Sequence, residues 1–178
     1  MLKPERFVLL PSRNTSSRRN RFWVSAALLS AAGLLALFFA ARPQQELTGA
    51  AQIIDGDSLR INGVEIRLRG IDAPELMQTC RLSGQNMPCG RTAKNALQRL
   101  ANTGLVTCIG DERDRYGRIL AVCRVRGIDM NAVMVRDGHA VAFGDYVREE
   151  AAASAAFRGI WEGEFERPRD WRLRHPRE

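Results

Sequence analysis

Short stretches of alternating apolar and polar residues occupy the middle of the chain and predict β-strands. Residues 58–61 and 64–70 alternate in this way, and the Asn62-Gly63 pair between them is a strong signal for a tight hairpin. A short apolar run at residues 52–54 precedes them. These three segments, joined by tight turns, predict an antiparallel meander.

Apolar residues recur at helical spacing in the second half of the chain. This spacing predicts helices over residues 91–101, 130–136 and 147–158. Residues 105–109 and 118–125 predict two more strands, joined by a charged loop over residues 110–117. The order of three strands, a helix, two strands and two helices predicts an α+β fold. We expect a five-stranded Greek-key β-barrel of the OB type with three helices.

A long apolar segment lies near the N-terminus. Residues 23–41 are nineteen residues without a charge, close to the roughly 20 that span a bilayer, and residues 1–22 before them are polar and basic. This flank predicts a single-pass transmembrane anchor with a cytoplasmic N-terminal tail. We favour an uncleaved anchor; the alternative is a cleavable signal peptide, which would release a secreted protein.

The net charge follows the same division of the chain. The total is +7, of which residues 1–50 contribute +5 and the rest only +2. The basic character therefore belongs mainly to the tail and is not a nucleic-acid footprint of the whole chain. We predict a linker over residues 42–50, a folded domain over residues 51–162 that lies outside the cytoplasm, and a charged extension over residues 163–178.

Four carboxylates lie on two predicted turns at the two ends of one hairpin. The first turn is Asp55-Gly56-Asp57, the second contains Asp72 and Glu75, and Arg67 lies on the strand between them. Carboxylate oxygens are preferred ligands of hard divalent cations, and arginine binds two phosphate oxygens at once. This combination predicts a metal-assisted phosphoryl site, in which Asp55 shapes its turn rather than binding the metal.

These segments resemble the staphylococcal nuclease (thermonuclease) family over residues 51–161. Four blocks carry the resemblance, in the family's order and at its spacing: Asp55-Gly56-Asp57-Ser58, Arg67-Leu68-Arg69-Gly70-Ile71-Asp72-Ala73-Pro74-Glu75, Asp114-Arg115-Tyr116-Gly117-Arg118 and Gly159-Ile160-Trp161. One such block is a weak signal, whereas four together are a strong one. The family has an OB barrel of five strands with three helices, which agrees with the predicted order.

The resemblance implies a Ca²⁺-dependent phosphodiesterase that hydrolyses DNA and RNA and leaves 3′-phosphate ends. Asp57 and Asp72 would bind the metal through their carboxylates, and Ala73 through its backbone carbonyl. Glu75 would activate the attacking water.

The remaining implied roles concern the substrate. Arg67 and Arg118 would hold the scissile phosphate. Tyr116, with its neighbour Arg115, would lie near the nucleotide. Residues 143–146 do not align clearly with the family's base-stacking tyrosines, so Tyr146 and Phe143 are both candidates for that role.

An OB barrel that binds single-stranded nucleic acid without cutting it is the alternative function. The acids and arginines named above favour catalysis. The charge of +2 outside residues 1–50 argues against a dedicated binder, whose affinity depends on neutralising phosphates. The expected partners are nucleic acid and, through residues 23–41, a membrane; no protein partner is implied, and we expect a monomer.

The four cysteines all lie in the predicted extracytoplasmic domain, and four cysteines allow three pairings. Cys80 and Cys89 bracket one loop, while Cys108 and Cys123 lie on consecutive predicted strands. We predict the disulfides Cys80–Cys89 and Cys108–Cys123. Zinc binding lacks the usual Cys-x-x-Cys spacing, and free thiols would require a different membrane topology.

Overall fold

The structure, a computed structural model, describes residues 44–82 and 84–176. The predicted cytoplasmic tail at residues 1–22 and the predicted anchor at residues 23–41 lie outside the described residues. Within the described part, no helix is both long enough and apolar enough to cross a membrane.

Short strands and four α-helices alternate through the described residues. The strands are β1 (Gln45–Gly49), β2 (Gln52–Ile53), β3 (Ser58–Ile61), β4 (Val64–Leu68), β5 (Ile71–Asp72), β6 (Cys80–Leu82), β7 (Gln85–Met87), β8 (Val106–Arg113), β9 (Ile119–Val125), β10 (Ile128–Asp129), β11 (Val141–Ala142) and β12 (Gly163–Glu164). The helices are α1 (Cys89–Ala101), α2 (Met130–Arg136), α3 (Val147–Ala155), a 3₁₀ helix (Gly159–Glu162) and α4 (Pro168–Arg174).

The largest sheet of the described residues has seven strands and curls into a half-barrel. Its order is β1-β8-β9-β4-β3-β2, with β10 paired to β9. Neighbouring strands are antiparallel except β4 and β9, which run parallel with Ile66 opposite Ile119. The predicted OB-type barrel of five strands is therefore wrong in strand number, because β1 and β10 also join the five predicted strands.

β1 comes from the predicted linker at residues 42–50. It pairs with β8 over five residues, from Gln45 opposite Gly110 to Gly49 opposite Val106. Leu47 packs against the core, while most of the strand is polar and exposed. An antiparallel edge strand with one face in solvent needs no continuous apolar pattern, which is why the sequence pattern did not predict it.

β8 extends further than the predicted strand at residues 105–109. It continues to Arg113 with a bulge between Gly110 and Glu112, so the first half of the predicted charged loop is strand. The predicted Asn62-Gly63 hairpin turn is confirmed. Asn62 and Gly63 have φ values of 50° and 82°, the conformation that a two-residue hairpin turn of type I′ requires.

One apolar core lies between the sheet and the helices. Leu59, Ile66 and Leu68 on the sheet are almost completely buried and belong to the same cluster as Leu97 of α1 and Met134 of α2. Burying such side chains contributes about 1.5–3 kcal/mol each. This packing fixes the end of β4 and the turns beyond it, where the acidic residues lie.

The predicted helix α2 is confirmed at both ends. Asp129 accepts a hydrogen bond from the Ala132 backbone N–H at 3.0 Å and so caps its first turn. α3 ends at Ala155, earlier than the predicted residue 158, because Phe157 adopts a left-handed φ of 51°. All three helices predicted for the domain are present, and the charged extension at residues 163–178 contains a further one, α4.

Both predicted disulfides are present. Cys108 lies directly opposite Cys123 in the β8–β9 ladder, with Cα atoms 4.0 Å apart. Cys80 is joined to Cys89, with Cα atoms 5.7 Å apart, and together they close a small hairpin formed by β6 and β7. None of the cysteines in the described residues is free. The structure therefore agrees with disulfide formation rather than with zinc binding.

Candidate active site

The turn before β3 packs tightly against the turn after β5. Asp55 Oδ1 accepts the backbone N–H of Asp57 at 3.1 Å, which is the turn-shaping contact expected of Asp55. A Cβ atom on Gly56 would lie 2.7 Å from the Cβ of Ala73 and 2.8 Å from the Cβ of Ala93. The two turns can approach this closely because residue 56 is glycine.

Asp57 and Asp72 converge on one arginine. Arg67 Nη2 lies 3.0 Å from Asp57 Oδ2 and 2.8 Å from Asp72 Oδ1. The two carboxylate side chains are 5% and 3% exposed, and Asp57 Oδ2 also accepts the Ala73 backbone N–H at 3.0 Å. Asp72 is held at the end of β5 by the pairing of that residue with Val141 of β11.

The local charge is dominated by carboxylates. Burial raises the pKa of Asp57 to about 7; Arg67 opposes this shift, and the nearby charges of Asp55 and Asp72 add to it. Burial lowers the pKa of Arg67, but the attraction of Asp57 and Asp72 outweighs it, so the net shift is upward. An additional positive charge would therefore be favoured at this place.

Glu75 lies on a turn held from two sides. Its backbone N–H donates to Gln78 Oε1 at 3.1 Å, and the fully buried Gln78 donates through Nε2 to the Glu166 carbonyl at 2.7 Å. On the other side, a Cβ on Gly90 would lie 1.7 Å from the Glu75 carbonyl oxygen, so α1 begins in direct contact with this turn. We refer to Asp57, Asp72 and Glu75 as the acid cluster.

Arg118 reaches the acid cluster through a hydroxyl group. Asp114 Oδ2 accepts from Arg118 Nε at 2.8 Å, while Arg118 Nη1 donates to Ser58 Oγ at 3.2 Å. Ser58 Oγ in turn donates to Asp57 Oδ1 at 3.0 Å. Asp114 and Ser58 were not assigned a role from the sequence, although both lie inside the blocks that carry the resemblance.

Tyr116 presents an exposed ring between two guanidinium groups. Tyr116 is 67% exposed. The Cζ atoms of Arg115 and Arg118 lie 4.8 and 5.5 Å from the centroid of its ring. Arg115 Nη2 also donates to the Tyr116 hydroxyl at 2.7 Å. A ring face and two cations at one exposed place could contact both a base and a phosphate.

The two candidates for base stacking lie in different surroundings. Phe143 is 60% exposed and follows β11, and its N–H donates to the Gly70 carbonyl at 2.8 Å beside the strand of Asp72. The Tyr146 hydroxyl donates to Asp129 Oδ2 at 3.3 Å, in a cavity of about 550 Å³ that Arg124 also lines. Burial and the Asp129 charge raise the pKa of Tyr146 to about 12.

Arg172 of α4 binds the acid cluster directly, and no motif in the sequence predicted this contact. Its Nη1 donates to Asp72 Oδ1 at 2.8 Å and to Glu75 Oε1 at 3.0 Å, and its Nη2 donates to Asp72 Oδ2 at 3.0 Å. The hydrogen bonding to Asp72 raises the pKa of Arg172 most, and the hydrogen bond to Glu75 raises it further. Its partners are 97 and 100 residues away, and no local pattern distinguishes it from the other arginines of the extension.

The oxygen atoms of this site suit a hard cation. No group of three or more His, Cys, Asp or Glu side chains in the described residues is arranged to hold a metal ion. The carboxylates of Asp57 and Asp72, with a backbone carbonyl such as that of Ala73, are nevertheless the donor type that Ca²⁺ takes, with water and substrate completing the shell. Asp55 and the acid cluster carry four formal negative charges against the two positive charges of Arg67 and Arg172, so the site has a net negative charge that attracts a cation.

The half-barrel with its helices is consistent with an OB-like fold. The family model of the staphylococcal nuclease homologues matches residues 65–162, which is more than half of the chain. The chain therefore belongs to the staphylococcal nuclease family, as its motifs indicated.

Curated relatives support the same family. The succinoglycan biosynthesis protein ExoI of Rhizobium meliloti is 34% identical over 125 residues, which cover 66% of this chain and 65% of that protein. The probable staphylococcal-like nuclease CAN3 of Oryza sativa subsp. japonica is 35% identical over 123 residues, 65% of this chain and 30% of its own length. An uncharacterized endonuclease of Escherichia coli is 32% identical over 121 residues, 62% of this chain and 73% of that protein.

Proposed function

We propose that this chain is a Ca²⁺-dependent phosphodiesterase that hydrolyses DNA and RNA and leaves 3′-phosphate ends. The observation that supports it best is the single hydrogen-bonded network that joins Asp57, Asp72 and Arg67 to Arg118 through Ser58. Two of the relatives described above are named as nucleases, which agrees with the proposal. The family's Ca²⁺ requirement supports the choice of metal.

Asp57, Asp72 and the Ala73 carbonyl would hold the Ca²⁺ ion. When bound, Ca²⁺ supplies a fixed double positive charge beside the substrate phosphate. Glu75, on its rigid turn, accepts a proton from the attacking water. Its carboxylate shares Arg172 with Asp72, so it lies next to the residues that would hold the cation.

Arg67 and Arg118 stabilise the charge that develops on the phosphoryl oxygens. Water attacks phosphorus and the P–O5′ bond breaks, which leaves the phosphate on the 3′ oxygen and a hydroxyl on the 5′ side. Both guanidinium groups are anchored before substrate arrives, Arg67 by two carboxylates and Arg118 by Asp114. Pre-positioned donors of this kind need no reorganisation during the reaction.

Tyr116, Arg115 and one of the aromatic candidates would bind the nucleotide. The exposed Tyr116 ring and its cations lie on the same turn as Arg118, so a base stacked there would be adjacent to the scissile phosphate. Of the two remaining candidates, Phe143 is favoured because it adjoins the strand of Asp72, whereas Tyr146 is bonded to Asp129.

We also propose that the domain works outside the cytoplasm, anchored through residues 23–41. The two disulfides support this location, because such bonds persist in oxidising compartments. Mass spectrometry without reductant of the protein from its native membrane should show both bonds. Four free thiols would contradict the proposed topology.

Cleavage by the full purified chain tests the proposed activity. Single- and double-stranded DNA and RNA are incubated with Ca²⁺ or with EDTA, and the product ends are mapped. We expect cleavage with Ca²⁺, none with EDTA, and 3′-phosphate ends. Glu75→Gln should remove most of the activity, while Glu65→Gln, on the exposed face of β4, should retain it. Binding of single strands without cleavage would instead support the non-catalytic binding module.

A further inference from the structure

Arg172 is placed where a divalent cation would act. Three of its N–H groups donate to carboxylate oxygens of Asp72 and Glu75, so both oxygens of Asp72 accept from this one guanidinium. Asp72 Oδ1 also accepts from Arg67 Nη2. A carboxylate that donates its electron pairs to a cation must weaken some of these hydrogen bonds, because its oxygens offer a limited number of lone pairs.

Helix α4, which carries Arg172, is short and contributes no residue to the main apolar core. Of its seven residues, Pro168 is buried and Trp171 is half-buried, whereas Leu173 is 75% exposed. The segment before it is held by the Gln78–Glu166 hydrogen bond and by an ion pair of Arg167 with Glu150 at 2.7 Å. Release of Arg172 would therefore break its hydrogen bonds to the acids and leave the main apolar core unaffected.

From these contacts we propose that Arg172 is a built-in competitor of Ca²⁺, which neutralises Asp72 and Glu75 in the metal-free protein and is displaced when the cation binds. This inference rests on the proposed function, since it assumes that the acid cluster takes Ca²⁺. With Arg172 in place the local formal charge is −2, and without it the charge is −3. The extension thus sets the Ca²⁺ concentration at which the site fills.

Calorimetric titration of the full chain with Ca²⁺ tests the competition directly. Arg172→Gln removes the charge and leaves two N–H donors in place of five. Arg174→Gln is the matched control, because it makes the same change on the same helix at a residue that pairs with Glu166 and not with the acids. We expect the dissociation constant of Arg172→Gln to fall at least about tenfold, the effect of a unit charge near 4 Å in a partly solvated site. Arg174→Gln should bind as the unchanged chain does.

Hydrogen exchange of residues 168–174 provides a second readout. A purely structural role of Arg172 would not make this exchange depend on Ca²⁺. Ca²⁺ should increase exchange there in the unchanged chain, and Arg172→Gln should show the fast exchange without Ca²⁺. Equal dissociation constants for the unchanged chain and Arg172→Gln, or no binding by either, would overturn the inference. Exchange that Ca²⁺ leaves unaltered would also overturn it.

Cleavage assays on the same preparations separate the two proposals. Ca²⁺-dependent cleavage combined with equal dissociation constants would contradict the proposed competition and support the proposed nuclease activity. Tighter Ca²⁺ binding by Arg172→Gln without cleavage by any variant would support the proposed competition and contradict the proposed nuclease activity.

Discussion

Two arginines reach the acid cluster from two different regions, and they are held in different ways. Arg118 is fixed by Asp114 of its own turn and touches the cluster through the Ser58 hydroxyl. Arg172 comes from α4 and bonds directly to Asp72 and Glu75. An arginine held by a residue of its own turn, as Arg118 is by Asp114, can point an N–H toward a phosphate while the acids keep their hydrogen-bond partners. Arg172 takes both oxygens of Asp72 and one of Glu75, so it competes with a cation for them.

The two arginines also differ in how far they could be predicted. Arg118 lies within five residues that include its own support, so a local motif identified it. Arg172 depends on how α4 docks, which is decided by contacts such as Gln78 with Glu166, 88 residues apart. Contacts of this kind have no signature within a short window of sequence.

Loss of Arg118 should have the largest effect. Arg118→Ala should lower the cleavage rate at saturating Ca²⁺ by about 10²–10³, the usual effect of removing one pre-positioned charge donor. Asp114→Ala should lower it less, because the arginine stays but loses its support. Quenched-flow rates measure both. Arg91→Ala, on the exposed face of α1, is the control, and an equal loss there would show that the effect is not specific to the site.

Loss of the Cys108–Cys123 disulfide should weaken the region that carries Arg118. Both cysteines are almost completely buried, so the double change to alanine should reduce the free energy of unfolding by about 2–5 kcal/mol. The same change at Cys80 and Cys89 should cost less, because that bond closes a shorter loop. Urea denaturation measures both. The reverse order would show that the β6–β7 hairpin contributes more stability than the β8–β9 ladder.

Gly56→Ala should separate the two acidic turns. The added methyl group would lie less than 3 Å from the methyl groups of Ala73 and Ala93, and such overpacking costs about 1–3 kcal/mol. We expect weaker Ca²⁺ binding together with a lower unfolding midpoint. Gly104→Ala is the matched control, since its nearest neighbour is the flexible side chain of Arg126. Unchanged Ca²⁺ affinity in Gly56→Ala would contradict the role of this close approach.

The stability of the metal-free chain should depend on pH through Asp57. Its pKa is about 7 in the folded protein against 3.8 ordinarily, so between these values the folded state holds a proton that the unfolded state has lost. The free energy of unfolding should therefore fall as pH rises from about 4 to 7, with a slope contribution below about 1.4 kcal/mol per pH unit. Asp57→Asn should remove this contribution, as measured by urea denaturation in EDTA. A slope that this variant leaves unchanged would assign the proton to another group.

Much of the fold followed from local patterns. The Asn62-Gly63 hairpin, α2 and both disulfides were predicted, because each depends on residues close in sequence or on adjacent strands. β1 was missed because its pairing with β8 is made by backbone groups, while most of its side chains are polar and exposed. The predicted number of five strands was too low for the same reason, since edge strands leave little apolar signal.

The candidate site was predicted in its local parts and incomplete in its distant ones. The structure brings Asp57, Asp72, Arg67 and Glu75 together, and it joins Arg118 to them through Ser58. Tyr146, a candidate for base stacking, lies instead at Asp129. Gln78 was missed because a buried glutamine is recognised by its partners and not by its neighbours in sequence.

The Ca²⁺ dependence of cleavage by the unchanged chain, Arg118→Gln and Arg172→Gln is the most direct test of the difference between the two arginines. We expect Arg118→Gln to cleave slowly at every Ca²⁺ concentration. Arg172→Gln should reach the rate of the unchanged chain at saturation and its half-maximum at a lower Ca²⁺ concentration. Equal losses of the saturated rate in both variants would contradict this division, because Arg172 would then act on the substrate as Arg118 does.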